Sequence, residues 1–177
     1  MPYTFFDIPA AVRDEAAVRA AWADITRALI ARGLTITTME SCTSGQLASL
    51  ITDTEGASAV MKGAFVTYSN EVKILEGVPE EIIARFGVYS AQTAAAMAET
   101  CRAKLCADIG VGVTGSFGNA DPNNPDSVPG EVYFALAGAQ GVRVFHCVLP
   151  PQPSRLAYKL CVAGTVADYL PAEWTAS

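Results

Sequence analysis

The sequence predicts an α/β domain, a three-layer α/β/α sandwich around a mixed central sheet. Amphipathic helical stripes alternate with short apolar runs along the chain. The run Asp108–Gly115 sets Ile109, Val111 and Val113 against alternating glycines, as in a buried strand. Two apolar runs near the C-terminal end, separated by "AGAQG", read as a hairpin. Strands joined through helices pair in parallel and the hairpin adds antiparallel pairing, so the sheet is mixed.

The elements follow in order. Residues 12–32 form a helix: Asp14 and Glu15 suit its positive N-terminal end, Val18, Trp22, Ile25 and Leu29 make one stripe, and Gly33 stops it. Residues 34–41 form a short strand, followed by a turn and a helix from about Ser44 to Ile51. Residues 61–69 form the next strand. A short helix starts at Asn70, and another opens at Pro79 with Glu80 and Glu81 in its first turn. Ser90 caps a helix reaching Cys106, with the stripe Ala94, Met97, Ala98, Cys101 and Leu105 and with Arg102 and Lys104 at its negative end. After the buried strand, residues 115–130 lack periodicity and are rich in Gly, Asn, Asp and Pro. A loop of this length after a buried strand marks a place for ligands. The hairpin strands cover residues 130–138 and 142–149, and the last helix spans about Ser154 to Leu170, with Leu156, Leu160, Ala163, Ala167 and Leu170 facing inward.

A chain of 177 residues with 51% hydrophobic and 17% charged residues reads as one globular domain with a sizeable core. The formal net charge of -6, with Lys and Arg scattered, argues against a nucleic-acid groove. A small anion remains compatible, because one or two local cations outweigh a global deficit. Five cysteines without a CxxC pair point to a reduced, cytoplasmic protein. A single histidine, His146, and no HExxH motif give no metal constellation, and no cofactor is implied. The first residues lack a basic segment, so no signal peptide is read, and no apolar run reaches membrane-spanning length.

The stretch "ESCTSG", Glu40 to Gly45, joins a strand to a helix. Amides around Thr43 to Gly45 are placed to meet an anion or an oxyanion, with Ser41 just before them. Ser41 is either a nucleophile or, with Thr43, a plain helix N-cap, and spacing alone favours the cap. Cys42 is the second nucleophile candidate. His146 lies in an apolar strand, so the base is sought in "TYSNEVK", where Tyr68 and Lys73 flank a turn. A partly desolvated lysine accepts a serine proton, and a tyrosine relays it or donates to the intermediate. The plainer readings are a solvated Lys73, a strand aromatic at Tyr68 and a helix cap at Asn70. "TGSFG", Thr114 to Gly118, offers amides to a phosphate, and Arg155 and Lys159 lie a turn apart on the last helix.

Taken together, "ESCTSG", "GAFVTYSNEVKILEGVP", "GVYSAQTAAAMAE", "ADIGVGVTGSFG" and "VPGEVYFAL" resemble, in order, the C-terminal domain family of the competence/damage-inducible protein CinA, which includes nicotinamide-nucleotide amidohydrolases. The resemblance spans about Ala21 to Leu170, leaving 1–12 and 171–177 as terminal extensions of a single domain. It implies hydrolysis of the carboxamide of nicotinamide mononucleotide (NMN) to nicotinate mononucleotide and ammonia, without metal. It implies Ser41 as nucleophile and Tyr68 and Lys73 as proton-transfer partners. Cys42, Thr43, Ser44, Gly45, Asn70, Thr114, Gly115, Gly118 and Arg155 fall at the substrate, and the family leans toward homo-oligomers. The chain departs from the family pattern at Met39, Ser44, Asn119, Glu131 and Lys159. Ser44 is costly if its turn needs positive φ, and an inward Glu131 would repel a phosphate. The alternatives are a related amidase acting on another amide and a nucleotide-binding or regulatory module without turnover.

Overall fold

One sheet of six strands organises the protein, seen in a computed structural model that describes residues 2–118, 121–125 and 127–175. The strands are β1 (Thr4–Asp7), β2 (Ile36–Glu40), β3 (Met61–Val66), β4 (Ile109–Gly115), β5 (Glu131–Gly138) and β6 (Gly141–Val148), in the order β1-β6-β5-β4-β2-β3. β4, β2 and β3 run parallel, β4–β5 and β5–β6 antiparallel, and β1 joins β6 in parallel. The sheet is therefore mixed.

The helices are α1 (Glu15–Arg32), α2 (Gln46–Thr52), α3 (Asn70–Leu75), α4 (Glu80–Phe86), α5 (Ala91–Leu105), α6 (Arg155–Tyr169) and α7 (Ala172–Thr175). On one face α1, α2 and α6 pack Trp22, Leu29, Leu50, Val162 and Val166 against Ile36, Val111, Val113 and Phe134. The Trp22 indole N–H, buried among them, donates to the Ala163 carbonyl at 3.0 Å. The other face belongs to α5, whose Ala94, Ala95 and Ala98 meet Ala135, Ala137 and Val144, and to α4 beside Met39 and Met97.

The small residues on that second face are a steric requirement. A Cβ on Gly112 would lie 2.4 Å from the Ala94 carbonyl oxygen, and one on Gly110 would lie 2.2 Å from that of Ala98. The glycines of "IGVGVTG" thus let α5 rest directly on the strand backbone.

Three features differ from the sequence expectations. Residues 1–12 carry no periodic signal, yet Thr4–Asp7 forms an edge strand and Phe6 stacks on Phe145 at 5.1 Å. A four-residue strand that is exposed throughout shows no alternation to detect. The C-terminal segment contributes α7, whose Glu173 accepts from the Arg143 Nε at 2.8 Å. Leu156 faces outward and is 49% exposed, because the buried stripe of α6 begins only at Leu160. All five cysteines are free. No helix among the described residues is long and apolar enough to cross a membrane.

Gly112→Ala should destabilise the fold by about 2 kcal/mol or more, because the new methyl meets a carbonyl of helix backbone that has no free rotamer to move. The midpoint of urea unfolding reads this directly, and a shift below a quarter of that size would refute the close-contact account.

Candidate active site

The parallel strands β2, β3 and β4 end at the same edge, where open α/β sheets hold ligands. Glu40 is the last residue of β2 and is fully buried. Its carboxylate accepts from the amides of Gly45 at 3.0 Å, Leu47 at 3.1 Å and Ala48 at 3.0 Å, and from the Thr38 hydroxyl at 3.0 Å. One carboxylate therefore takes up donors that the first turn of α2 leaves free. The N-cap residue is Gly45, so neither Ser41 nor Thr43 is the cap that spacing favours. The turn is folded tightly: the Ser44 amide donates to the Ser41 carbonyl at 3.0 Å, Ser44 has φ 49 and Gly45 has φ 90. Serine at position 44 thus occupies the left-handed region that favours glycine. Of the amides expected to meet an oxyanion, those of Ser44 and Gly45 are therefore already engaged.

Ser41 faces Lys73. The Thr67 amide, just past β3, donates to the Glu40 carbonyl at 2.9 Å and ties the two strand ends together. Ser69 caps α3 by accepting from the Val72 amide at 3.3 Å, which displaces Asn70 from the cap role. That cap starts α3 with Lys73 turned inward, only 1% exposed rather than solvated. Its Nζ lies 3.1 Å from the Ser41 Oγ and 2.7 Å from the Thr67 carbonyl oxygen. Burial pushes the Lys73 ammonium down to about 8, against the opposing pull of Cys42, Asp121 and Glu71. Burial pushes the neighbouring Cys42 thiol up to about 12, with Glu40 adding to the shift. The lysine is set to lose its proton while the thiol keeps its own, so Ser41 is the better-equipped nucleophile of the two.

A cavity of about 530 Å³ opens beside Ser41, and Ser41, Cys42, Tyr68, Asn70, Gly115 and Arg155 all line it. Tyr68 is 61% exposed and its hydroxyl accepts from the Arg155 guanidinium at 3.1 Å. The remaining expected residues do not line it. The Thr114 hydroxyl donates to the Val88 carbonyl at 2.9 Å, and Thr43 is buried. The Ser44 hydroxyl accepts from the Lys159 Nζ at 3.3 Å, and Gly118, at φ 68, packs beside Tyr158. Glu131 points away from the cavity, where its carboxylate accepts from the Tyr133 hydroxyl at 3.1 Å and sits 3.3 Å from the His146 Nε2. His146 itself pairs with Asp7 at 2.8 Å on the β1 side. Asn119 lies outside the described residues.

Ser116 and Phe117 also line the wall and fall within "TGSFG", whereas sequence reasoning named no role for Ser69, Glu71, Tyr89, Asp121, Asn123 or Asn124. The long loop was the available signal for Asp121, Asn123 and Asn124. Tyr89 falls within "GVYSAQTAAAMAE", directly before the Ser90 cap of α5. The Tyr89 hydroxyl donates to the Asp121 carboxylate at 2.6 Å, and burial, with this bond adding to it, pushes the phenol pKa up.

The family model for the CinA C-terminal domain matches residues 19–165. Over 118 residues the chain is 42% identical to the nicotinamide-nucleotide amidohydrolase PncC of Escherichia coli K12, a match covering 66% of this chain and 71% of that protein. A CinA-like protein of Gemmatimonas aurantiaca is 38% identical over 129 residues, 72% of this chain and 30% of that protein. Relatives of this longer kind are matched over only 27–30% of their length. Among solved structures, the competence/damage inducible protein CihA of Agrobacterium tumefaciens superposes with a TM-score of 0.78 at 31% identity, covering 88% of this chain and 94% of that one.

Glu40→Ala should cost about 3 kcal/mol or more, since it strands three amides and a hydroxyl that share one buried acceptor. Chemical denaturation checks the loss, and unchanged stability would show that α2 does not depend on this carboxylate.

Proposed function

The chain belongs to the CinA C-terminal domain family, and from that membership we propose that it is an amidohydrolase that converts NMN to nicotinate mononucleotide and ammonia. The observation that carries this reading is the buried Lys73 Nζ at 3.1 Å from the Ser41 Oγ, on the wall of a cavity.

Neutral Lys73 accepts the Ser41 proton as the Oγ attacks the carboxamide carbon. The carbonyl π electrons move to oxygen, and the oxyanion forms beside the turn that follows Ser41. Lys73 then returns the proton to the leaving nitrogen, the C–N bond breaks and ammonia departs. Water hydrolyses the resulting nicotinoyl ester and restores Ser41. Because Arg155 donates to the Tyr68 hydroxyl oxygen, the phenolic proton stays free to reach the reacting carbonyl. Arg155 is also the cation of the cavity rim placed to receive the phosphate. The enzyme works in this reading as a homo-oligomer of the reducing cytoplasm, and sedimentation of the purified protein checks its assembly.

A second reading keeps the machinery and changes the amide. It rests on Asp121, which shares the cavity wall with Ser41 and lies in none of the motifs shared with the family. Ammonia release from a panel of nucleotide and simple amides separates the two.

Ser41→Ala should abolish ammonia release from NMN and leave the unfolding midpoint unchanged. Lys73→Ala should lower kcat/KM on the order of a thousandfold. Full activity in either variant would sink the serine–lysine mechanism. The pH profile has a definite sign. The active form of Lys73 is the neutral amine, so kcat/KM should fall tenfold per unit below about 8 and level off above it. A profile flat from neutrality upward would remove Lys73 as the base.

A further inference from the structure

Among the described residues three charged side chains line the cavity, Arg155 of one sign and Asp121 and Glu71 of the other. Arg155 donates to Tyr68 and its guanidinium lies 5.5 Å over the Phe117 ring. Asp121 accepts from the Tyr89 hydroxyl at 2.6 Å, the Asn124 side-chain amide at 2.6 Å and the Asn123 backbone amide at 2.9 Å. The Asn124 oxygen in turn accepts from the Asn70 amide at 3.0 Å, which ties this carboxylate to α3, the helix of Lys73. The Tyr89 and Asn124 hydrogen bonds hold the Asp121 carboxyl below its usual range, so it is ionised at neutral pH. Among the described residues no cationic side chain sits within ion-pair distance of it. A fixed carboxylate without an ion-pair partner in a substrate pocket favours a ligand that brings positive charge.

We propose that Asp121, held by Tyr89 and Asn124, reads the positive charge of the substrate's aromatic ring, so that the site selects carboxamides on a cationic ring over neutral isosteres. This rests on the amide-hydrolase reading above. The ring nitrogen of NMN is quaternary and its phosphate is anionic, so the molecule is a zwitterion matched by Asp121 on one side and Arg155 on the other. The same carboxylate favours product release. Hydrolysis turns a neutral carboxamide into a carboxylate, which Asp121 repels.

Ring charge is isolated by comparing NMN with its reduced dihydro form, which keeps the carboxamide, ribose and phosphate but has a neutral ring. Calorimetry on Ser41→Ala measures binding without turnover. The Ser41→Ala protein should bind NMN more tightly than the dihydro form, and adding Asp121→Asn should shrink that preference about tenfold. Asn124→Ala, which removes a hydrogen bond to the carboxylate but not its charge, should weaken both ligands by the same factor. Glu71→Gln, which neutralises the exposed acid at the cavity rim, should change the preference less than twofold. Equal affinity for the two ligands, equal loss of both in Asp121→Asn, or an equal effect from Glu71→Gln would each overturn the assignment. The outcome stays separable from the substrate reading. If the native enzyme neither binds nor hydrolyses NMN, ring-N-methylated nicotinamide and nicotinamide serve as the charged and neutral pair. A preference for the cation that Asp121→Asn removes then supports the inference while NMN falls as substrate, and its absence there overturns the inference as well.

Discussion

The site depends on a buried carboxylate that never touches the cavity. Glu40 ends β2 with its side chain turned under the following loop, where three amides and a hydroxyl share it. A strand entering a short helix leaves several N–H groups without partners, and in a dry interior each costs on the order of 1–3 kcal/mol. Glu40 meets that need from the N-terminal side, where the helix dipole also favours negative charge. The five residues between strand and helix are consequently held in one tight path. That path accepts a left-handed serine at position 44, and it presents Ser41 at the sheet edge.

The second half of the pair is placed by a different device. The Thr67 amide fixes the end of β3 to the Glu40 carbonyl, and the Ser69 cap starts α3 in the direction that buries Lys73. Moving the lysine from its ordinary 10.5 to about 8 corresponds to roughly 3 kcal/mol of penalty on the ammonium. The sign follows from linkage. The unfolded lysine holds its proton up to about 10.5 and the folded one only to about 8. This group therefore weakens the fold below about 8, and stability recovers as pH rises between the two values. Such a cost is the expected mark of a group kept for chemistry, since a methionine in that space would carry none of it.

The far face of the sheet contributes to the same pocket through close packing. Gly110 and Gly112 allow α5 to settle on β4, and the Thr114 hydroxyl ties the segment before α5 to the end of that strand. Tyr89 lies within that tied segment and so reaches the cavity, where it meets Asp121 from the long loop. Residues distant in sequence, on strand ends, a helix and a loop, thus share one wall because three parallel strands stop at one edge.

Much of this was legible in the sequence. The stripe Val18, Trp22, Ile25 and Leu29, the alternating glycines after Asp108 and the hairpin at "AGAQG" follow from local periodicity and are seen as α1, β4 and β5–β6. Residue type made Ser41 and Lys73 candidates, since a chain with one strand-bound histidine has few other bases, and the family resemblance then named them. What the sequence left open needed partners from elsewhere in the chain. Read by itself, "ESCTSG" favours a serine cap, and only the burial of Glu40 shows which side chain caps the helix. Lys73 on a six-residue helix reads as solvated until Thr67 and Ser41 close over it. Strand β1 gains its order from β6 rather than from its own four residues. Tyr89 and Asp121, thirty-two positions apart, become neighbours only when α5 and the loop meet at the sheet edge. Periodicity records which face of an element is buried, so it determined the layers. Hydrogen bonds and desolvation depend on groups far apart in the chain, so only the tertiary structure decided which residues make the site.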